Sequence, residues 1–233
     1  MMELDILAFG AHADDVEIGM AATIIKYTKL GFQVGICDLT EADLSSNGSV
    51  PMRKQEAQKA ADIMGVKKRL NLGLPDRGLQ YKDEYIRKLV EVIRTYKPKL
   101  IFAPYVEDRH PDHASCSRLV EEAMFSSGIR KFMPEIAHHR VQSMYYFMIN
   151  GFHKPSFCVD ISDYMDEKLQ ALQAYESQFS KGMDGVTTPL TDGYTESVIA
   201  REKLFGKEVG VKYAEGFMSK KPLVLHKDLL GGL

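Results

Sequence analysis

Short apolar runs alternate with amphipathic stretches along the first hundred residues, and this alternation constrains the fold more than any other feature. Strand-like runs occupy residues 4–10, 33–40, 68–73 and 99–105. Helix-like stretches lie between them, at about residues 17–30, 52–64 and 83–96. Because strands that alternate with helices form a parallel sheet, we predict an α/β fold of the Rossmann-like, three-layer αβα type with a mostly parallel sheet.

The pattern changes after about residue 140. Two strand-like runs, at 141–149 and 156–161, precede a predicted helix at about 163–175, a polar loop and a last helix at about 196–209. We therefore expect that the C-terminal part of the chain adds further β-structure to the predicted sheet. Neither an internal repeat nor a low-complexity linker interrupts the sequence, and we predict one domain that spans residues 1–233.

The composition excludes several classes of partner. The chain has 30 Lys and Arg against 32 Asp and Glu, a net charge of -2, so it lacks the basic field on which binding to nucleic acid or to an anionic membrane relies. No apolar run reaches the roughly 20 residues of a membrane helix, and Glu3 stands where a signal peptide carries Lys or Arg. The odd number of widely spaced cysteines fits reduced thiols. We expect a cytoplasmic protein with a small-molecule substrate and with neither a nucleic-acid nor a membrane partner.

Two loops rich in ionisable residues follow the first and fourth predicted strands. The first reads "AHADD" from residue 11, and the second reads "VEDRHPDH" from residue 106. A parallel sheet binds its ligand beyond the carboxyl ends of the strands, and in the common order 3-2-1-4-5 the crevice lies between strands one and four. We therefore expect the two loops to meet. The first loop lacks two glycines of a G-x-G-x-x-G motif, which excludes dinucleotide binding of that type.

The spacing within each loop is typical of metal ligands. His12 and Asp15 are three residues apart, and so are His110 and His113, so both members of a pair face one point when the chain forms a helical turn. Two histidines and one carboxylate are a common ligand set for catalytic zinc and also for non-haem iron(II), and the sequence does not choose between these metals. Either loop alone is also compatible with a surface cap or turn. Their joint position favours a metal site.

The segments "AHADDVEIG", "RKQE" and "RHPDH" resemble the signature segments of the LmbE-like, or PIG-L, family of metal-dependent N-acetylglucosaminyl deacetylases. The resemblance covers most of the chain and is strongest to the members that remove acetate from N-acetylglucosaminyl malate in bacillithiol biosynthesis. It implies that His12, Asp15 and His113 hold a Zn²⁺ ion, although Fe²⁺ or another divalent metal is also compatible. It further implies a homo-oligomer.

The resemblance also implies roles in catalysis and substrate binding. Asp14 would be the general base, His110 would face the substrate carbonyl, and Arg53 would lie in the substrate pocket. Arg109 is a second candidate for substrate binding because it adjoins His110. The chemistry of amide hydrolysis agrees, since a zinc ion lowers the pKa of a bound water to about 7, within reach of a neighbouring carboxylate base. The sequence departs from the family at Ala13, where proline is usual and would stiffen the turn.

Two other functions are compatible with these residues. The first is a deacetylase of free GlcNAc or of chitooligosaccharides, because the metal chemistry does not depend on what lies beyond the amide. The second is a non-catalytic, metal-dependent sugar-binding protein. Asp14 argues against the second function, since binding alone requires no base beside the metal ligand.

Several further residues near the two loops are ambiguous. Asp112 is compatible with orienting His110 and equally with an ordinary acid at a helix N-terminus. Glu17 is expected to be such a helix-terminal acid. Arg140 and Tyr194 are weaker candidates for the site, and the sequence leaves their roles open.

Overall fold

The computed structural model describes residues 2–182 and 185–223. Seven strands and seven helices lie within these ranges. In chain order they are β1 (Ile6–Gly10), α1 (Asp15–Lys29), β2 (Val34–Thr40), α2 (Val50–Ile63), β3 (Lys68–Leu74), α3 (Asp83–Tyr96), β4 (Leu100–Pro104), α4 (Pro111–Ser127), β5 (Ser143–Phe147), β6 (Phe157–Asp160), α5 (Met165–Gln173), α6 (Glu176–Phe179), α7 (Tyr194–Val209) and β7 (Ala214–Met218).

The strands form one seven-stranded sheet with the order β3-β2-β1-β4-β5-β7-β6. The pairs among β1 to β5 are parallel, whereas β7 runs antiparallel to its neighbours β5 and β6. The predicted α/β fold, with a mostly parallel sheet and β-rich C-terminal additions, is confirmed. Because β1 pairs with β4, with Ile6 opposite Leu100, the loops that follow these two strands begin side by side.

The side chains of β1 show how the sheet separates two cores. Ile6 and Ala8 pack into a cluster that includes residues of α1, α2 and α5. Leu7 and Phe9 pack into a second cluster, which includes residues of α3 and α4. Successive side chains of a strand point to opposite faces, so a strand that is covered on both faces is a continuous apolar run. The three predicted layers follow from this arrangement.

The strand β7 is absent from the sequence-based prediction. Its sequence "AEGFM" has no β-branched residue and contains both a glycine and a fully buried glutamate, Glu215. Such a run scores poorly as a strand on propensity alone. It is held by long-range pairing, since Phe217 lies opposite Phe147 on one side and Phe157 on the other.

None of the described helices is both long enough and apolar enough to span a membrane. The predicted single domain also includes residues 1, 183–184 and 224–233, which lie outside the described residues.

Helix α1, which follows the first ionisable loop, is interrupted near its middle. Met20 has a φ of -155° and a ψ of 21°, which are not helical values. Beyond this point, the amides of Ala22 and Thr23 donate hydrogen bonds of 3.1 and 2.7 Å to the carboxylate of Glu215 on β7. Before it, the carbonyl of Ile18 accepts hydrogen bonds from side chains of other helices. The backbone groups on both sides of the break are therefore bound by distant side chains.

A buried ionic cluster lies at this break. It consists of the fully buried Lys168, Glu202 and Glu215 and of Arg201, which is half-buried. Lys168 Nζ lies 3.0 Å from the Ile18 carbonyl, 2.8 Å from Glu202 Oε1 and 2.6 Å from Glu215 Oε1. Arg201 donates to the same Ile18 carbonyl at 2.9 Å and to Glu202 at 2.8 Å. The cluster thus fixes the first turns of α1 against α5, α7 and β7.

Candidate active site

The loops after β1 and β4 meet at the carboxyl edge of the sheet and bring three histidines together. The rings of His12 and His110 have centroids 4.8 Å apart in an edge-on arrangement. The rings of His110 and His113 are stacked with centroids 4.7 Å apart. His12 lies far from the other two histidines along the chain, and it meets them because β1 and β4 are neighbours in the sheet.

Asp15 lies between the two loops and contacts a histidine from each. Its Oδ1 is 3.1 Å from His113 Nε2, and its Oδ2 is 3.6 Å from His12 Nδ1. The backbone amide of His12 also donates a 2.9 Å hydrogen bond to Asp15 Oδ2, which orients the carboxylate. Asp15 opens α1 and is almost completely buried, so its charge requires compensation by neighbouring groups.

Nitrogen and oxygen atoms that can bind a metal converge at this point. Among the residues that the structure describes, two overlapping groups have ligand atoms within 4.8 Å of one another. They are His12, His110 and His113, and His12, Asp76 and Asp112. Asp15 belongs to neither group, although it contacts two of the histidines. Imidazole nitrogens with carboxylate oxygens suit a divalent cation, so the donor set fits a metal site, while the triad of His12, Asp15 and His113 remains a prediction.

Asp108 is a site residue that the sequence analysis missed. Its Oδ1 lies 2.9 Å from His113 Nδ1, on the side of the ring opposite to Asp15. The same carboxylate accepts hydrogen bonds from the backbone amide of His110 and from both the amide and the side chain of Asn150. A carboxylate at the second ring nitrogen fixes the orientation of a ligating histidine. The signal was present, because Asp108 lies within the segment "VEDRHPDH".

The charges of the cluster shift its protonation equilibria strongly. Burial lowers the pKa of His113, but the carboxylates of Asp15 and Asp108 outweigh it and raise that pKa to about 9. The pKa of Asp15 moves in the opposite sense: burial raises it, and the two histidines bring it well below its usual value. Near neutral pH, in the absence of a cation, His113 therefore carries a proton that a metal ion must displace.

We predict that the affinity for a divalent cation rises with pH up to about 9. His113 binds a metal only as a neutral imidazole, and its raised pKa means that protons compete with the metal below that value. Calorimetry at pH 7 in buffers of different ionisation enthalpy should report release of about one proton or more per ion bound. A pH-independent affinity would contradict the prediction.

The matched test of the same site uses two histidine variants. His113→Ala is expected to lose the bound metal, measured by elemental mass spectrometry of the desalted protein. His138→Ala is the control, because His138 is an exposed residue outside both ligand groups. Equal metal content in the two variants would exclude His113 as a ligand.

Asp14 occupies an unusual backbone position at the start of α1. Its φ of 111° lies in the left-handed region, which is costly for a residue other than glycine and is held only where the surroundings enforce it. Its Oδ2 lies 3.1 Å from Nη2 of Arg53, and the same Nη2 donates to the carbonyl of Ala13. Arg53 therefore braces the turn at Ala13.

The environment of Asp14 brings its acidity near neutrality. Burial raises the pKa most, the guanidinium of Arg53 lowers it, and the neighbouring carboxylate of Asp15 raises it again, with a resulting pKa of about 7. Two adjacent carboxylates thus have opposite shifts, since the pKa of Asp15 is depressed. Such a divergence between neighbours is typical of a site in which one carboxylate stays ionised and the other exchanges a proton.

His110 caps the N-terminus of α4 and faces the cleft. Its Nδ1 accepts a 3.3 Å hydrogen bond from the backbone amide of Asp112. The Asp112 carboxylate, which the sequence analysis considered as a partner of the His110 ring, lies elsewhere. It accepts from the amide of Arg77 at 2.7 Å and lies 3.7 Å from His12 Nε2. Asp112 therefore orients His110 through its backbone amide, because its carboxylate is bound by the loop that carries Arg77.

A cleft of about 270 Å³ opens above these residues. The side chains of Arg53, Arg109 and Tyr194 contribute to its lining, together with His12, Asp14 and His110. Arg109 is exposed at the rim, whereas Arg53 is buried, with its Nε unpartnered among the described residues. Arg140 is exposed and lies outside this lining.

Glu17 is an acid in the first turn of a helix, as expected, but it is not exposed to solvent. It is completely buried in the first turn of α1, where it pairs with Arg69 and accepts a 2.8 Å hydrogen bond from the Tyr175 hydroxyl. Arg69 also binds Asp38 through two hydrogen bonds of 2.8 and 3.0 Å. Glu17 therefore supports the floor of the cleft and does not line it.

Comparison with known proteins gives consistent similarities. Residues 7–124 match the family model of PIG-L, GlcNAc-PI de-N-acetylase. The chain is 30% identical over 236 residues to a diacetylchitobiose deacetylase of Thermococcus kodakarensis, with 95% of this chain and 85% of the relative covered. It is 25% identical to a probable N-acetyl-α-D-glucosaminyl L-malate deacetylase 2 of Bacillus anthracis, over 84% of this chain and 91% of the relative. Among solved structures, a conserved protein of Thermus thermophilus has a TM-score of 0.88 and 36% identity, over 95% of this chain and 97% of that one.

Proposed function

The chain belongs to the PIG-L family of de-N-acetylases, and from this premise we propose that it hydrolyses the N-acetyl group of a GlcNAc-containing small molecule at a divalent metal site, with Zn²⁺ as the first candidate. Members of this family are amidohydrolases. The observation that carries the proposal is the pair Asp14 and Asp15, adjacent carboxylates with opposite pKa shifts beside three converging histidines. We further propose that the enzyme acts in the cytoplasm as a homo-oligomer.

In this proposal His12, Asp15 and His113 hold the metal. When bound, the ion supplies a water of lowered pKa and polarises the amide carbonyl. Asp108 keeps the His113 ring oriented through its 2.9 Å contact with Nδ1. Arg77 keeps Asp112 beside His12 through the 2.7 Å hydrogen bond from its amide.

Asp14 is the proposed general base, and His110 is the proposed group that stabilises the charge of the transition state. Asp14 takes the proton of the attacking water at its carboxylate and later gives it to the leaving amine, and burial favours its protonated form because it raises the pKa of that carboxyl above its usual value. His110 lies across the cleft and stabilises the negative charge that develops on the carbonyl oxygen. Burial and the nearby histidines lower the pKa of His110, which favours its neutral form. A protein that only bound sugars would need neither the base nor its strained backbone.

Two classes of substrate are candidates. N-acetylglucosaminyl malate is favoured by the family resemblance and by the similarity to the Bacillus relative. A chitooligosaccharide is favoured by the similarity to the Thermococcus relative. Arg53 and Arg109 are the proposed substrate contacts in either case, and the unpartnered Nε of Arg53 supports this role.

The test is an assay of acetate release from a panel of N-acetylglucosaminides, with the metal content of the protein measured in parallel. We expect turnover of at least one panel member, loss of that turnover after chelation, and recovery after addition of Zn²⁺ or Fe²⁺. The panel contains free GlcNAc, diacetylchitobiose and N-acetylglucosaminyl malate. Absence of acetate release from every member by the fully metal-loaded protein would overturn the proposal and favour the sugar-binding alternative.

A further inference from the structure

A second cleft, of about 490 Å³, adjoins the catalytic cleft. It lies between the segment 149–152 after β5 and one face of α7. The two clefts share five lining residues, which are Arg109, Ile149, Asn150, Pro189 and Tyr194. Tyr194 is fixed in this common wall, because its hydroxyl donates a 2.8 Å hydrogen bond to the carbonyl of Ile149. The two clefts therefore adjoin at the residues that they share.

The outer wall of the second cleft is an aromatic and aliphatic surface. Phe152 is 55% exposed, and Leu204 is 46% exposed. The Phe152 ring stacks on Phe205 at a centroid distance of 5.1 Å with an interplanar angle of 21°, and Phe205 is itself buried. Phe152 is thus supported from below while more than half of its surface remains open. Val198 and Pro189 extend the apolar lining.

The cleft offers one uncommitted positive charge. Arg201 is neutralised by Glu202 at 2.8 Å, and its other nitrogen donates to the carbonyls of Met148 and Ile149. Arg109 is exposed and has no acidic partner within 4.0 Å in the part of the chain that the structure describes. A ligand group with two negative charges would meet only one free cation here, at a mostly apolar surface.

We propose that the Phe152 cleft is a subsite for the group linked to C1 of the GlcNAc ring, and that it takes an uncharged ring with an apolar face, such as a second pyranose. C1 adjoins C2, which bears the acetamide, so a group on C1 begins within two bonds of the carbon that carries the reacting amide. The catalytic cleft, at about 270 Å³, is below the usual range of about 300 to 1,000 Å³ for ligand pockets, so a larger substrate extends beyond it, and the second cleft adjoins it on the side of Asn150 and Tyr194. The ring packs on Phe152, and one of its polar substituents reaches Arg109. This inference rests on the proposed deacetylase function.

The experiment compares kcat/KM for diacetylchitobiose with kcat/KM for free GlcNAc in the metal-loaded enzyme. The wild-type ratio is expected to exceed about ten, and Phe152→Ala should lower it by about tenfold, an effect in the range of aromatic packing. The kcat/KM for free GlcNAc should stay within about twofold of wild type, because the monosaccharide does not reach Phe152. Phe125→Ala is the matched control, since Phe125 is 70% exposed on α4 and lines neither cleft.

Four results would overturn the subsite. An unchanged ratio in Phe152→Ala would exclude contact with the second ring. An equal loss for both substrates would assign Phe152 a structural role. A third result starts from a wild type that prefers N-acetylglucosaminyl malate to diacetylchitobiose. If Arg109→Ala abolished that preference and Phe152→Ala did not, the specificity would belong to an anionic group on the substrate. A change of oligomeric state in Phe152→Ala with an unchanged ratio would instead make this surface an interface between copies.

A binding measurement separates failure of the subsite from failure of the proposed function. Glucosaminyl-N-acetylglucosamine, the singly deacetylated disaccharide, and glucosamine are the products of the proposed reaction, and both are titrated into the metal-loaded protein by calorimetry, which requires no turnover. Tighter binding of the disaccharide that weakens about tenfold in Phe152→Ala supports the subsite even if no substrate is hydrolysed. Equal affinity for the two ligands in the wild type would overturn the subsite even if deacetylation is observed.

Discussion

The Asp14→Asn variant is expected to keep its bound metal and to lose kcat by about 10²- to 10⁴-fold, the contribution of a positioned acid or base. Asparagine has nearly the shape of aspartate but cannot accept the proton of the attacking water. Asp14 is 3.1 Å from the Arg53 guanidinium and adjoins Asp15, so the substitution removes the base without removing a predicted ligand. The measurements are steady-state kinetics on the best panel substrate and metal content by elemental mass spectrometry.

The control for this prediction must separate loss of the base from damage to the turn. Asp83→Asn makes the same change at an exposed position in the first turn of α3 and should leave kcat within about twofold of wild type. The thermal midpoint of Asp14→Asn is recorded as well, because the amide weakens the contact with Arg53. Near-full activity of Asp14→Asn at equal metal content would contradict the assignment and make His110 the leading candidate for the base.

The arrangement of the site follows from the sequence where strand order determines it. The alternation of strands and helices predicts a parallel sheet, and a parallel sheet with β1 beside β4 brings the loops of His12 and His113 together. The spacing of His12 and Asp15 then predicts their contact, which measures 3.6 Å. These features depend on local periodicity and on one topological rule, so one sequence is enough to infer them.

The residues that the sequence analysis missed are held by contacts of long range. Asp76 reaches His12 at 3.2 Å from the turn after β3, a strand that is not adjacent to β1 or β4. Glu17 pairs with Arg69, which is 52 positions away and is placed by the pairing of β3 with β2. No local pattern distinguishes such a buried acid from a solvated one at a helix N-terminus. Its partner becomes visible only when the fold is known.

The same limit applies to the buried ionic cluster beneath α1. The sequence "KEVGVKYAEGFM" predicts neither a strand at Glu215 nor its role as the acceptor for two amides of a broken helix. Lys168 lies on the helix predicted at about residues 163–175, and nothing in that prediction indicates that its side chain is completely buried. The cluster joins the helix that begins with the candidate catalytic carboxylates to the wall that carries Tyr194, since Arg201 binds both Ile18 and Ile149.

Lys168→Met is expected to lower the free energy of unfolding by about 3 to 5 kcal/mol, the cost of leaving a buried charge without its partner. The substitution removes the ammonium group that lies 2.8 Å from Glu202 and 2.6 Å from Glu215, and methionine fills much of the same volume. The measurement is urea unfolding at pH 7 with the metal content held constant. Lys99→Met is the control, because Lys99 forms an exposed ion pair of 2.7 Å with Asp5, and such pairs contribute about 0 to 1 kcal/mol.

The pH dependence and a second variant show whether the uncompensated carboxylates cause this loss. In the wild type, burial raises the pKa of Glu202, but Arg201 and Lys168 outweigh burial and lower the pKa below its usual value. Ionised Glu202 therefore stabilises the fold when the pH is above the usual pKa of a glutamate, and this stabilisation is lost as the pH falls through the lowered pKa. Without Lys168 one of the two groups that lower the pKa of Glu202 is lost, so Glu202 holds a proton more readily and the difference between Lys168→Met and wild type should shrink from pH 7 to pH 5. Lys168→Met combined with Glu215→Gln should recover part of the stability at pH 7, because one uncompensated charge is removed. A pH-independent loss that the second substitution deepens would mean that Lys168 acts through its packing and its hydrogen bond to Ile18, and not through charge compensation.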